Sequence, residues 1–188
     1  MNFAYINFPK LPEEFIPLCL NEIPRIETSK FLAKINELED PAVRLTFIPA
    51  VVQKWLYEEI IFKRFPHISD NLMNLFTHVS QHIPDYNRGP ESHPIHFDYG
   101  RNYAFNYILD PGGDNVATKW YDDAGNVIEE KVVQPFRWHM LAVKPELHSA
   151  DRIQPGRRRV TIGLNWDPPV PKEEFDAREY WKDFIEDE

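Results

Sequence analysis

The chain has 188 residues, 43% of them hydrophobic, a formal charge of −9 and one cysteine, Cys19. That length and apolar fraction suit one domain with a sizeable core, and a lone cysteine excludes an internal disulfide and is compatible with a reducing compartment. The acidic balance disfavours a nucleic-acid surface, which needs clustered Lys or Arg, and with no run long enough for a bilayer and no signal-peptide layout a cytoplasmic protein without a membrane partner is expected.

All seven glycines fall at or after Gly89, which divides the chain. The glycine-free first part predicts helices. Residues Ser29 to Leu38 place Phe31, Leu32, Ile35 and Leu38 on one stripe behind Ser29 as N-cap, and Ala50 to Lys63 repeats Val52, Trp55, Leu56 and Ile60 before Pro66. Such stripes are core-facing, and their expected role is to cover the outer face of a sheet. Thr77 to His82 reads as a strand. Beyond Gly89 turns recur at short intervals, at Asp110 to Asn115, Asp122 to Asn126 and Gln154 to Gly156, as a β-rich core with hairpins requires. The Gly112-Gly113 pair lacks the helix and the Gly-Lys-Ser/Thr of a phosphate loop, so it reads as a tight turn. Trp138 to Val143 and residues 158–166 read as strands, and Lys172 to Ile185 as a helix with Ala177, Trp181 and Phe184 on one side. The acids that follow Pro171, ending in Ile185-Glu186-Asp187-Glu188, fit a solvated helix face. No repeat, low-complexity segment or linker interrupts the chain.

The most informative residues are His96-Phe97-Asp98 and, fifty positions past Asp98, His148. In a strand, residues two apart share a face, so His96 and Asp98 can reach one ion while Phe97 points away. A ligand so far along must arrive on another strand. Two imidazoles and one carboxylate form the facial triad of non-heme Fe(II) oxygenases, although Mn(II), Co(II) and Zn(II) accept the same donors. The other histidines read differently. His78 and His82 stand four apart but on a strand and without the glutamate of a zinc-protease helix. His93, next to Pro94, fits a loop at the mouth of the site, and His139 a packed or hydrogen-bonded position in its strand.

From Phe76 to Trp166 the chain resembles the double-stranded β-helix core of the Fe(II)/2-oxoglutarate-dependent oxygenases, most of all the prolyl-hydroxylase-like branch. The residues that carry the resemblance are Thr77 to His82, His96-Phe97-Asp98, Asn106 to Gly113, and Leu147-His148-Ser149 through Gly156 to Arg159, in the family's order and with similar gaps. The resemblance implies an α+β, mainly β fold: a double-stranded β-helix (jelly-roll, cupin-like) core at 76–168, a mainly helical N-terminal arm at 1–75 and an acidic C-terminal helix at 169–188, all one domain. It implies Fe(II) on His96, Asp98 and His148, with 2-oxoglutarate as cosubstrate and O2 as oxidant. The expected reaction is hydroxylation of a C–H bond with release of succinate and CO2. The substrate expected from this branch is a peptidyl residue or an amino-acid-like small molecule, and the acidic surface would suit a basic protein. Nothing in the sequence fixes the oligomeric state.

In that family a basic residue about ten positions past the distal histidine pairs with the far carboxylate of 2-oxoglutarate, often with a hydroxyl residue two positions later. Arg157, Arg158 and Arg159 compete for this role. With residues 158–166 as a strand, Val160, Ile162, Leu164 and Trp166 form one apolar face, and Arg159, Thr161, Gly163 and Asn165 the other. The polar face should line the interior, which selects Arg159 with Thr161. Arg158 is second, at the commoner family spacing, and Arg157 reads as a solvent-facing rim. A basic patch of this kind leaves base modification conceivable on an acidic protein. Asn106 and Asn165 are candidate cofactor contacts because inward polar side chains need hydrogen-bond partners, and Arg101 and Tyr103 are weaker candidates beside the ligands. Two other readings stay open. A cupin-like barrel could bind metal without oxygen chemistry, but it would more often use three histidines and a glutamate and has no use for an inward arginine. A non-catalytic binding module should have a damaged triad, and this triad is complete.

Overall fold

The computed structural model describes residues 1–21, 43–46, 48–64, 76–82, 95–98, 103–166 and 182–186, with the backbone alone for 43–46, 64, 76–82 and 165–166. The strands are β1 (Phe3–Tyr5), β2 (Val43–Thr46), β3 (Phe76–His82), β4 (Tyr103–Asp110), β5 (Ala117–Tyr121), β6 (Val127–Val132), β7 (Trp138–Ala142), β8 (Leu147–Asp151) and β9 (Arg159–Trp166). They form two sheets, six strands in the order β1-β7-β4-β9-β3-β2 and three in the order β6-β5-β8. Each strand pairing is antiparallel. The described part is mainly β, with few helices, in the manner of a β-sandwich or jelly roll. No described helix is long and apolar enough to cross a membrane.

Alternation along β4, β7 and β9 gives the large sheet two different faces. On its outer face Tyr103, Phe105, Tyr107 and Leu109, with Trp138, Met140, Ala142, Val160, Ile162 and Leu164, form one buried cluster with Val52, Leu56, Ile60 and Ile61. Those last four residues come from the predicted Ala50–Lys63 helix. It is built as α2 (Ala50–Trp55), a π-helical stretch (Leu56–Ile61) and α3 (Phe62–Arg64), and Phe62 N–H bonds five residues back to the Tyr57 carbonyl. The wider turn lets both Ile60 and Ile61 reach the sheet, which a regular helical stripe would not do. A short helix, α1 (Phe15–Leu20), adds fully buried Cys19 to the same layer.

On the inner face of the large sheet Ala104, Leu141 and Val143 pack with Trp120 of β5, whose indole N–H donates to the Ala142 carbonyl at 2.9 Å. Trp120 is fully buried and ties the small sheet onto the large one.

The Asp110–Asn115 turn is present, and it fixes where β9 starts. Asp110 Oδ1 accepts from Gly112 N–H at 2.8 Å and from the Arg157 guanidinium at 3.2 Å, while Gln154 N–H donates to the Gly112 carbonyl. Gly112 has φ of +82°, and a Cβ there would lie 3.0 Å from Arg158 C, Arg159 N and Ile153 Cγ2. The turn therefore presses directly on the backbone that launches Arg159.

The predicted helix at residues 29–38 lies outside the described residues, as does most of the predicted Lys172–Ile185 helix. Its end is a correction: residues 182–184 form a turn and Ile185 bridges Ile6. Glu186 N–H donates to the Tyr5 carbonyl, and its carboxylate pairs with Arg137, so this acid is tied to β1 rather than displayed on a solvated helix. Phe184 and Ile185 pack against the core, which gives the reason.

The close approach at Gly112 can be isolated with a control. Gly125 has the same φ of +82° but open space around its Cβ position. Gly125→Ala should cost about 1–2 kcal/mol, the left-handed penalty alone, and Gly112→Ala about 1–3 kcal/mol more, from forced displacement of backbone. Urea midpoints of the two variants measure this, and equal losses would contradict the contact.

Candidate active site

His96 and His148 are joined by a reciprocal pair of backbone hydrogen bonds, His96 N to His148 O at 3.0 Å and His148 N to His96 O at 2.8 Å. Residues 95–98 therefore run along the free edge of β8. Asp98 N–H donates to the Val143 carbonyl at 2.9 Å, anchoring the other end of this segment at the end of β7. His96 Nε2 and Asp98 Oδ1 come within 3.4 Å, and the two imidazole rings within 4.4 Å between centroids. Ligand atoms of all three residues lie within 4.8 Å of one another. Phe97, between two ligands, is exposed, as extended backbone requires.

This set fits a divalent transition metal. Adjacent ligand atoms on an ion bonded at 2.0–2.2 Å stand about 3 Å apart, near the distance between His96 and Asp98. His148 Nδ1 lies 3.2 Å from the Glu146 carbonyl, an acceptor, so the proton is assigned to Nδ1 and the Nε2 lone pair is left for a metal. His148 is buried, while His96 and Asp98 are partly exposed, so access is from one side.

Arg159 and Thr161 are buried on the inner face of β9. Arg159 donates across to Thr118 Oγ1 of β5 at 3.2 Å. Burial alone pulls the guanidinium down to about 10. Among the described residues no carboxylate pairs with it, so it is a buried cation whose counter-charge is not supplied by those residues. Thr118 is two residues from Trp120 on β5, and Trp120 stands opposite His148 in register. The cation and the triad thus face the same interior. Arg157 and Arg158 are exposed, and Arg157 bonds Asp110. Asn106, half-buried, stands on the inner face of β4 between His139 of β7 and Gly163 of β9.

His139 is the residue whose weight the sequence hides. It is fully buried, its ring stacks on Phe3 at 5.6 Å and 25°, and Nδ1 lies 3.3 Å from the Arg137 carbonyl. Nε2 has no hydrogen-bond partner among the described residues. Burial, and then the nearby charge of Arg159, push this imidazole down to about 3, against a smaller upward effect of the Arg137 carbonyl. The only available signal was parity: in Trp138-His139-Met140-Leu141 the histidine falls on the side opposite Trp138 and Met140.

Of the other candidates, Tyr103 alternates to the outer face and joins the core with Phe105. Asn165 is on β9, where the backbone alone is described, and so are His78 and His82 on β3. Arg101 and His93 lie outside the described residues.

No family model and no curated protein matches the chain. Solved structures do. A prolyl-4-hydroxylase of Pseudomonas putida is 13% identical, with 89% of this chain and 93% of that one aligned at a TM-score of 0.55. A candidate oxygenase of Shewanella oneidensis is 10% identical, with 97% and 89% aligned at a TM-score of 0.51. At such identities the likeness is one of fold: the chain folds as these two proteins do.

Two outcomes follow from the geometry. Asp98→Ala and His148→Ala should each weaken Co(II) binding by more than about 100-fold, beyond the effect of losing a supporting hydrogen bond, with far-ultraviolet circular dichroism unchanged because the core clusters lie elsewhere; retained binding, by the visible Co(II) spectrum, would dismantle the site. The second concerns acid. A histidine at about 3 when folded and near its ordinary 6.5 when unfolded binds more protons in the unfolded chain between those values. Stability is therefore fully present above about pH 6.5 and falls as pH drops toward 3, by up to about 1.4 kcal/mol per unit. Urea denaturation at pH 7 and 5 should show a smaller acid loss in His139→Phe than in the parent chain.

Proposed function

We propose that the protein is an Fe(II)- and 2-oxoglutarate-dependent dioxygenase that hydroxylates a C–H bond of a peptidyl residue or amino-acid-like substrate. The observation that carries this reading is Arg159, a buried cation with no carboxylate partner among the described residues, facing the same interior as the His96, Asp98 and His148 ligand set. A metal-binding barrel without such chemistry has no use for it. The fold shared with a prolyl-4-hydroxylase supports the reading. On this reading the two sheets close as a double-stranded β-helix, with the His96–Asp98 segment as the fourth strand of the small sheet.

The roles of the chain's own groups follow from their positions. His96, Asp98 and His148 would hold Fe(II) on one face and leave the other open. Held there, Fe(II) with 2-oxoglutarate and O2 would supply the oxidising power for hydroxylating a C–H bond, with succinate and CO2 as the coproducts. Arg159 offers a planar fork to one carboxylate, with the Thr161 hydroxyl beside it on the strand. Thr118 holds that fork across the sheets. Trp120, Leu141 and Val143 exclude water from this space and strengthen the charge pair inside it.

Calorimetry with Mn(II) as an oxygen-inert substitute tests the reading. 2-Oxoglutarate should bind only when metal is present; equal binding without metal would sink it. Arg159→Ala should weaken that binding by about 2–5 kcal/mol, because the ligand's carboxylate is left unpaired in a buried site. Arg158→Ala, at an exposed position, should change it little.

A further inference from the structure

We propose that His139 is a second anchor in the ligand site: its Nε2 accepts a hydrogen bond from an O–H or N–H donor that arrives with the carboxylate held by Arg159, either on the ligand or on one water bound to it. The inference rests on the reading of Arg159 as a carboxylate anchor and adds a positioning residue to it.

Buried polar atoms in folded proteins are nearly always partnered, and each exception calls for a reason. Here the reason is specific. The Arg137 carbonyl can only accept, so the Nδ1 contact assigns the ring proton to Nδ1 and makes Nε2 an acceptor. That acceptor is fully buried and has no partner among the described residues. It sits on the inner face of β7, directly beside half-buried Asn106 of β4, and near enough to Arg159 for the guanidinium charge to act on the ring. Arg159 brings only donors to this space, and His139 brings an acceptor. A bare carboxylate satisfies the first group and not the second. A carboxylate with a hydroxyl, or with one ordered water, satisfies both.

The neutral state of the ring belongs to the same argument. Desolvation and Arg159 keep it uncharged across the physiological range, so it stays an acceptor. The stack on Phe3 and the Nδ1 bond fix its orientation without the ligand. This is preorganisation: the ring is aimed before the donor arrives.

The test compares the full chain loaded with Mn(II) with its His139→Phe and His139→Gln variants, titrated with 2-oxoglutarate. His139→Phe should bind at least about tenfold more weakly, as expected when a hydrogen bond in a buried site is lost. His139→Gln, whose amide oxygen restores an acceptor, should recover most of that loss. Mn(II) affinity should be the same in all three. Without ligand, His139→Phe keeps the stack on Phe3 but loses the Nδ1 bond to Arg137, so circular dichroism at pH 7 checks that it is folded. Unchanged binding in His139→Phe, or a His139→Gln variant as weak as His139→Phe, would overturn the proposal.

If the parent chain fails to bind 2-oxoglutarate with metal, the proposed function fails and the anchor is judged separately. In metal-free protein with 15N-labelled histidine, glutarate should move the His139 Nε2 resonance upfield in the parent and not in Arg159→Ala; no movement in the parent would overturn it. If His139→Phe does not fold, the same resonance is followed in Zn(II)-loaded parent and Arg159→Ala protein titrated with 2-oxoglutarate, where movement in the parent alone is expected and no movement in the parent would overturn the proposal. Replacing glutarate by 3-hydroxyglutarate separates the two donors: tighter binding of the hydroxy acid in the parent alone identifies a ligand hydroxyl, and equal binding identifies water.

Discussion

The site depends on one backbone interaction, the reciprocal hydrogen bonding of His96 and His148 at 3.0 and 2.8 Å. Two residues far apart in sequence become directly opposed neighbours, so their Cβ atoms fall within about 5 Å and their rings within 4.4 Å. Asp98 is carried along by the two-residue period and pinned by Val143. None of this needs the metal, since every bond involved is main-chain. The convergence of these three residues is consequently a property of the sheet, set by main-chain pairing.

The interior between the sheets is divided by polarity. Toward the Trp120 end it is apolar and close-packed, with Ala104, Leu141 and Val143. Toward the start of β9 it holds Arg159, Thr118 and Thr161, all buried. A buried guanidinium without its counter-charge is unfavourable for folding, and so is an unpartnered imidazole nitrogen. Such groups persist where a ligand later completes them, and proteins carry this local instability at functional sites. The outer apolar layer, with Trp138, Tyr107 and Phe105 and the π-helical stretch above them, supplies burial that offsets it.

What could be read from the sequence was whatever depended on local period. The alternation in residues 158–166 separates Arg159 from Val160 correctly, because Val160, Ile162 and Leu164 do lie in the outer core and Arg159 does not. The Ala50–Lys63 stripe is helical for the same reason, although nothing in it announces the π-helical stretch that brings Ile61 inward with Ile60. β1 was not legible, since three residues of Phe-Ala-Tyr carry too little pattern, and it forms only because β7 offers an edge. The end of the predicted C-terminal helix failed because Ile185 found a long-range partner in Ile6. The triad could be named as a set of types and spacings; its convergence could not, because it rests on pairings across the fold. His139 shows the limit most sharply. Its stack, its neighbour Asn106 and its orphan nitrogen are each set by residues on other strands.

Gly112 is a position that the architecture itself dictates. It is required neither by the metal nor by a ligand, yet a side chain there would collide with the main chain of Arg158 and Arg159. The turn, stapled by Asp110 to both Gly112 and Arg157, sets the first residue of β9 and with it which arginine faces inward. Were β9 displaced by one residue, Arg158 would take the inner face, while the apolar residues from Val160 to Leu164 would exchange the outer core for the space between the sheets. The register of one strand therefore decides core packing and which arginine faces inward together, so the outer core holds Arg159 in place although it lies on the opposite face of the sheet.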